Sequence, residues 1–405
     1  LQAAIDAAEA GATVKLLADV AVDAAVEVSK TVVLELNGFT VKTTENDKSG
    51  DGVFHVIAGG DLTINGEGTI NGVGGNDYNI AIWADGGKVT INGGYYTNVG
   101  ATGESDDHFD LIYVKNGGEV VINGGKFEAQ TPAWTLNSHD TKKGTITVKG
   151  GTFVGFNPEN NAAEGANTDF TADGYIAIEN ADGTYTVREG KWVAQDGEKK
   201  FETLQAAIDA VQNGQTITLQ ADITQNVTLT EQTGLYYTIN GNGKKLTYTG
   251  SDRAITVENT ANGANLTIND LTVEAPNAER GINYHTTGSL VLNNVDVTAK
   301  MYAVNLPGSS IGANVSITDS ELTGKNTLNI WGENAVVNVT NTVITTKDGT
   351  PSEDYAAVIL NYMAEGAVVT INGGKLIAAD NSAATVNGTA TGVFNVSDST
   401  VIDGA

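Results

Sequence analysis

Val89-Thr90-Ile91-Asn92-Gly93 decides the fold, because the same cell recurs along the whole chain: an apolar-x-apolar strand that runs into Asn-Gly or a chemically similar turn. The copies are Leu62-Thr-Ile-Asn-Gly66, Val120-Val-Ile-Asn-Gly124, Ile146-Thr-Val-Lys-Gly150, Leu266-Thr-Ile-Asn-Asp270, Leu290-Val-Leu-Asn-Asn294, Val315-Ser-Ile-Thr-Asp319, Val337-Asn-Val-Thr-Asn341, Val369-Thr-Ile-Asn-Gly373 and Phe394-Asn-Val-Ser-Asp398. Alternate positions of a strand share one face, so each cell points two apolar side chains the same way. Asn tolerates positive φ and can hydrogen-bond its neighbours, and the following Gly lets the chain bend. With the second apolar residue as marker, the steps are 27, 31 and 26 residues from Ile64 through Ile91 and Ile122 to Val148. From Ile268 to Val396 they are 24, 25, 22, 32 and 25. Such a cell is too small to bury its own apolar face and must stack on the next, which predicts a coiled sheet. Leucine-rich repeats share the period, but their Leu-x-x-Leu-x-Leu-x-x-Asn signature and intervening helices are absent from the sequence.

A longer unit occurs twice. Leu1-Gln-Ala-Ala-Ile-Asp-Ala7 returns as Leu204-Gln-Ala-Ala-Ile-Asp-Ala210. Leu204, Ala207, Ile208 and Val211 have helical spacing, Thr203 suits an N-cap, and Asn213-Gly214 suits a stop. A short amphipathic helix followed by strands predicts a cap on a solenoid. Between the halves, Tyr175 to Glu179 and Thr184 to Arg188 flank the turn sequence Asn180-Ala-Asp-Gly183, the pattern of a β-hairpin. The expected division is a first module at 1–172, a hairpin connector at 173–198 and a second module at 199–405. The first copy lacks the residues that precede the second, so the sequence reads as a processed or truncated product.

The 405 residues include 49 glycines, 5 prolines and no cysteine, so the chain is turn-dense and has neither disulfides nor thiolate metal sites. A formal charge of -27 repels nucleic acid and anionic membranes, and no run approaches the roughly 20 apolar residues of a membrane span. The acidity has two readings: it keeps a large surface soluble, or it serves calcium or cationic ligands.

The capping helix and the Thr-Ile-Asn-Gly-Gly type of coil resemble the pectin-lyase-like superfamily of right-handed parallel β-helices, over nearly all of the chain. Closest in texture are repetitive bacterial surface proteins. The resemblance implies an all-β solenoid with right-handed coiling and two tandem modules, each capped by a short N-terminal helix. It leaves function open, because the fold carries many activities. Lyases of this fold use acidic calcium ligands with an Arg or Lys base, and its hydrolases use paired carboxylates on adjacent strands. Of the three arginines, Arg188, Arg253 and Arg280, the first falls in the connector, and no Asp-Asp cluster accompanies Arg280. Arg280 lies near Glu279, His285 and Lys300, and reads as a solvated turn rather than a catalytic base.

The densest polar cluster is Asp106, Asp107, His108 and Asp110, with a second His-Asp pair at His139-Asp140. These groups suit acid-base or cation chemistry, but the preferred reading is a charged loop projecting from the solenoid. A more regular signal is an aromatic residue eight or nine places before the marker, at Trp83, Tyr113, Tyr284, Trp331 and Tyr362. As an aligned column these would stack on sugar rings; the competing reading is an internal stack at the corner of the coil. Thr63, Thr90, Val121, Thr147, Thr267, Val291, Ser316 and Thr370 form an outward uncharged ladder, suited to a polymer or ice surface or simply to strand propensity. Phosphate-loop, zinc-type and Gly-x-Ser-x-Gly motifs are absent from the sequence. The expectation is a non-catalytic extracellular bacterial surface protein acting as adhesin, spacer or glycan-binding module. It would be a monomer meeting polysaccharide or host matrix glycans, with no resident cofactor unless calcium. The alternatives are a polysaccharide lyase or glycoside hydrolase, and a trimeric tailspike-like protein.

Overall fold

The two apolar residues of each cell face a shared dry interior. Leu62, Val89, Val120 and Ile146 pair in register on successive parallel strands, as do Ile64, Ile91, Ile122 and Val148, and all eight are buried. The same holds for Leu266, Leu290, Val315, Val337 and Val369, and for the markers Ile268 to Ile371. At about 1.5 to 3 kcal/mol for each such side chain taken out of water, this column is the main favourable contribution of the fold. The computed structural model describes residues 1–44, 52–73, 79–101, 110–230, 233–347, 355–379, 381–388, 390–397 and 400–404. It is a parallel β-solenoid of about 13 turns, 51% strand and 4% helix.

The chain forms two units, Leu1–Lys191 and Trp192–Ala405. In the first, each turn contributes one strand to each of three parallel sheets. The first sheet holds the repeated cell, the second includes Tyr95–Thr97 and Lys126–Glu128, and the third runs through Val26–Val28, Phe54–Ile57, Ile82–Asp85, Ile112–Lys115 and Leu136–Ser138. Inside the second sheet, Tyr96, Phe127 and Phe153 stack face to face at 5.0 and 4.8 Å. The expected hairpin, Tyr175–Glu179 with Thr184–Glu189, forms and pairs antiparallel with Gly151–Val154. It therefore closes the second sheet of this unit, whereas Ala194–Asp196 and Lys199–Phe201 pair within the second unit. The expected connector is divided between the two units.

In the second unit the first and second sheets merge, because strands such as Asn265–Ala275 and Ser289–Ala299 run through the corner without a break. Its third sheet runs from Val227–Leu229 to Ser382–Val386. The last copy of the cell departs from the expected burial: Phe394 is half-buried and Val396 is 42% exposed, because no further strand among the described residues lies on it.

The repeated Leu-Gln-Ala-Ala-Ile-Asp-Ala motif forms the helices α1 (Gln2–Ala7) and α2 (Leu204–Ala210), and the hydroxyl of Thr203 accepts from the amide of Ala206 as an N-cap should. The glutamine has a second task. The Gln205 side chain accepts from the amide of Thr228 at 2.8 Å and donates to its carbonyl at 2.9 Å, and Gln2 does the same to Glu27 at 2.8 and 3.0 Å. Each glutamine amide thus stands in for a neighbouring strand at the start of the third sheet, satisfying an edge that would otherwise be open. Asp6 and Asp209 hold that amide in place by accepting from it.

The corner dihedrals fall one or two residues later than the sequence suggests. Asn65, Asn92 and Asn123 stand at the ends of the repeated strands and form an amide ladder at 2.8 Å per step, and positive φ falls at Gly66, Gly94 and Gly125 in the first unit and at Asp270, Asn294 and Asp319 in the second. Removing an inward side chain should cost far more than removing its outward neighbour. Ile268→Ala is expected to lower stability by about 2 to 5 kcal/mol, and Thr267→Ala by no more than about 0.5 kcal/mol, in urea titrations followed by circular dichroism. Equal losses would contradict this assignment of faces.

Candidate functional site

Outward positions of the third sheet in the first unit bring four residues side by side. His55 pairs with Trp83, Trp83 with Tyr113, and Tyr113 with Asn137, each from a different turn. Their strand neighbours Phe54, Ile82, Ile112 and Leu136 point inward, so alternation forces this row outward. The His55 and Trp83 rings lie 4.7 Å apart, and Trp83 and Tyr113 meet edge to face at 5.7 Å. Lys115 places its ammonium 5.2 Å from the Trp83 ring centre, leaving that indole 8% exposed. Asp85 approaches His55 Nε2 at 3.5 Å and accepts from the Asn116 amide.

At the Asn137 end the row opens into a cavity of about 200 Å³ lined by Asp110, Tyr113, Trp134, Asn137, Ser138, His139 and Asp140. A second cavity of about 520 Å³ shares Trp134, Asn137 and Asp140 and adds Phe156, Tyr185 and the asparagines 157, 160 and 161. The larger volume is of the size that admits a small organic ligand. Asp110 is 7% exposed, and its Oδ1 accepts from Asn137 Nδ2 at 3.0 Å. Trp134 closes the short 3-10 turn Pro132–Trp134, and its carbonyl accepts from the amide of Leu111 at 2.9 Å, which fixes the turn against the sheet. His139 Nδ1 accepts from the amides of Thr141 and Lys142 at 3.2 and 3.3 Å, which fixes the ring against its own turn.

The structure divides the expected aromatic column. Trp83 and Tyr113 are neighbours on the outside of the first unit. Tyr284 is an interior residue with no exposed surface, its hydroxyl within hydrogen-bond reach of the carbonyls of Ala264 and Thr287. Burial pushes that hydroxyl well above the usual tyrosine range. Trp331 and Tyr362 form a separate pair 6.1 Å apart, with Tyr362 58% exposed. Counting back from the marker crosses a corner of variable length, and one extra residue exchanges the two faces of a strand. In the third sheet of the second unit Asn283, Asn305 and Asn329 are in register, and the amide row they start continues through Asn361 and Asn387, each just past the end of its strand. Asn305 donates to Asn283, Asn329 to Asn305, Asn361 to Asn329 and Asn387 to Asn361, and all but Asn387 are buried.

Asp106, Asp107 and His108 lie outside the described residues, whereas Asp110 and the His139-Asp140 pair meet in the smaller cavity. Arg280 pairs with Glu279 at 3.1 Å, lies 5.8 Å from the Tyr302 ring centre and sits in register with Arg253. Among the described residues, no group of three or more His, Asp or Glu side chains is gathered as metal ligands would be, and no helix is long and apolar enough to cross a membrane. The outward ladder forms as expected, with Thr63, Thr90, Val121 and Thr147 in one column and Thr267, Val291 and Ser316 in another.

The sequence reading missed His55, Trp134 and Asn137. His55 stands nine residues before Ile64, the spacing of Tyr113 from Ile122, but a search for Phe, Trp and Tyr passes over imidazole. Trp134 sits on a turn off the repeat and carries no periodic signal. No protein-family model matches the chain, nor does any curated protein or solved structure. If Tyr284 is structural, Tyr284→Phe is expected to cost about 0.5 to 1.5 kcal/mol of stability without changing the affinity of any ligand of the first unit. Loss of binding in this variant, at unchanged stability, would return Tyr284 to the site.

Proposed function

We propose that the chain is a non-catalytic glycan-binding module of the pectin-lyase-like kind, secreted or displayed at a bacterial surface, and that the first unit carries the recognition. The observation that supports this reading is the outward row His55, Trp83, Tyr113 and Asn137, which runs into cavities lined by aromatic, amide and carboxylate groups. Sugar rings present apolar faces that stack on indole and phenol rings, and equatorial hydroxyls that pair with Asn and Asp side chains. Consecutive strands lie about 4.8 Å apart, so the row tracks an extended chain of sugars better than a compact metabolite. The amide row of the second unit, bonded to itself and mostly buried, suits support rather than recognition.

A second reading is favoured by Asp110 and Asp140 lining one cavity, as the paired carboxylates of a glycoside hydrolase would. One set of experiments addresses both. On a glycan array and in calorimetry, Trp83→Ala and Tyr113→Ala are each expected to weaken binding by about tenfold or more, with Trp331→Ala as an unaffected control. No binding to any glycan or matrix ligand would remove the recognition reading. New reducing ends or unsaturated products that vanish in Asp140→Asn would replace it with the enzymatic one.

A further inference from the structure

We propose that Asn372-Gly373 is a site of spontaneous covalent modification, where the asparagine amide converts to aspartate and isoaspartate. The proposal is independent of the glycan-binding reading. The sequence holds twelve Asn-Gly pairs. Such a pair can react with itself, because a glycine without Cβ lets its amide nitrogen approach the side-chain carbonyl carbon of the asparagine before it. What separates the twelve is the bonding of the asparagine side chain. Eleven hold at least one hydrogen bond: Asn65, Asn92 and Asn123 within the amide ladder, Asn116 on Asp85, Asn262 on the hydroxyl of Thr287, and the others on neighbouring side chains or backbone groups. The side chain of Asn372 holds none among the described residues.

The reason lies in the repeat. The fourth position of the cell is Thr340 on the coil before and Ser397 on the coil after, so no amide adjoins Asn372 as Asn65 adjoins Asn92. Exposure does not make the distinction, since Asn92 and Asn372 are both exposed. Local sequence does not make it either, because both stand in Thr-Ile-Asn-Gly-Gly. Asn372 also lines a surface cavity of about 530 Å³ with Asn395 and Ser397, which admits water.

The reaction balances with water as its co-reactant. The Gly373 nitrogen attacks Cγ of Asn372, a C–N bond forms, and Nδ2 leaves as ammonia with the proton that the nitrogen gives up. Water then opens the resulting succinimide at either carbonyl, and no group is oxidised or reduced. The Gly373 amide donates to Ser397 Oγ at 3.1 Å, and that bond must open first. At Asn92 two side-chain bonds oppose the rotation that brings Cγ to the next nitrogen, one to Asn65 and one from Asn123. Each such bond is expected to slow the reaction by about two- to tenfold. The product carries one more negative charge, and its isoaspartyl form adds a methylene to the main chain at the corner between Val368–Asn372 and Lys375–Ala379.

The test incubates the full, folded chain in mildly alkaline heavy-oxygen water and maps its peptides by mass spectrometry, with isoaspartyl methyltransferase to mark the isomer. Conversion at Asn372 is expected to be the fastest of the twelve and to exceed that at Asn92 by at least about twofold. In urea, where the side-chain bonds are lost, the identical local sequences should react at equal rates. Thr287→Val removes the bond to Asn262 and should raise conversion there by about two- to tenfold while leaving Asn372 unchanged. The comparison within the unsubstituted chain gives the reading if that variant fails to fold. Equal rates at Asn92 and Asn372 in the folded chain, faster conversion at any other Asn-Gly pair, or a difference that persists in urea would overturn the proposal. So would a folded Thr287→Val chain in which Asn262 reacts no faster.

Discussion

The register of the inward aliphatic pairs is the constraint on which the rest of the molecule depends. Leu62 lies beside Val89, Val89 beside Val120, and the same residue types continue turn after turn. A single strand of this kind buries nothing by itself. Once two turns stack, each apolar pair is sealed by the next, and a shift of one residue would send the whole column into water. Register is therefore strongly fixed, and everything outside the column inherits its position from it.

That inheritance explains how a site arises without any local motif. His55, Trp83, Tyr113 and Asn137 are separated by between 24 and 30 residues in sequence, yet they adjoin because their inward neighbours do. The same position on the third sheet of the second unit holds Asn283, Asn305 and Asn329, whose amides satisfy one another out of reach of water. One scaffold thus carries an outward aromatic row in one unit and a self-bonded amide row in the other. The difference lies only in side chains the solenoid does not need for stacking, so the fold by itself does not dictate what these rows do. The glutamines of the capping helices show the complementary economy: Gln2 and Gln205 end a sheet by imitating a strand.

The solenoid was legible in the sequence because its main stabilising contact repeats and its alternation has a period of two. The cap was legible because Thr203 and the apolar spacing of Leu204, Ala207 and Ile208 are local signals. The corners were half legible: the asparagine ladder was foreseen, but positive φ belongs to a residue one or two places further on, such as Asp270 or Gly94. The site was read least well. Trp83, Tyr113, Asp110, His139 and Asp140 were singled out for reasons that did not connect them, and Tyr284 was grouped with them although it packs inside. Spacing measured across a corner loses the parity that decides which face a side chain takes. Trp134 depended on a turn that has no counterpart among the described residues of the other coils.

The most direct measurement is a crosslink between residues that the register makes neighbours. The chain has no cysteine, so any disulfide is an introduced one. Paired positions on adjacent strands lie about 4.8 Å apart, within disulfide reach, whereas an offset of two residues puts them about 8 Å apart and beyond it. Trp83→Cys combined with Tyr113→Cys should oxidise readily to an intramolecular disulfide, and Trp83→Cys combined with Lys115→Cys should not. The opposite pattern, or equal crosslinking of both pairs, would contradict the register and with it the row of residues from which the function is argued.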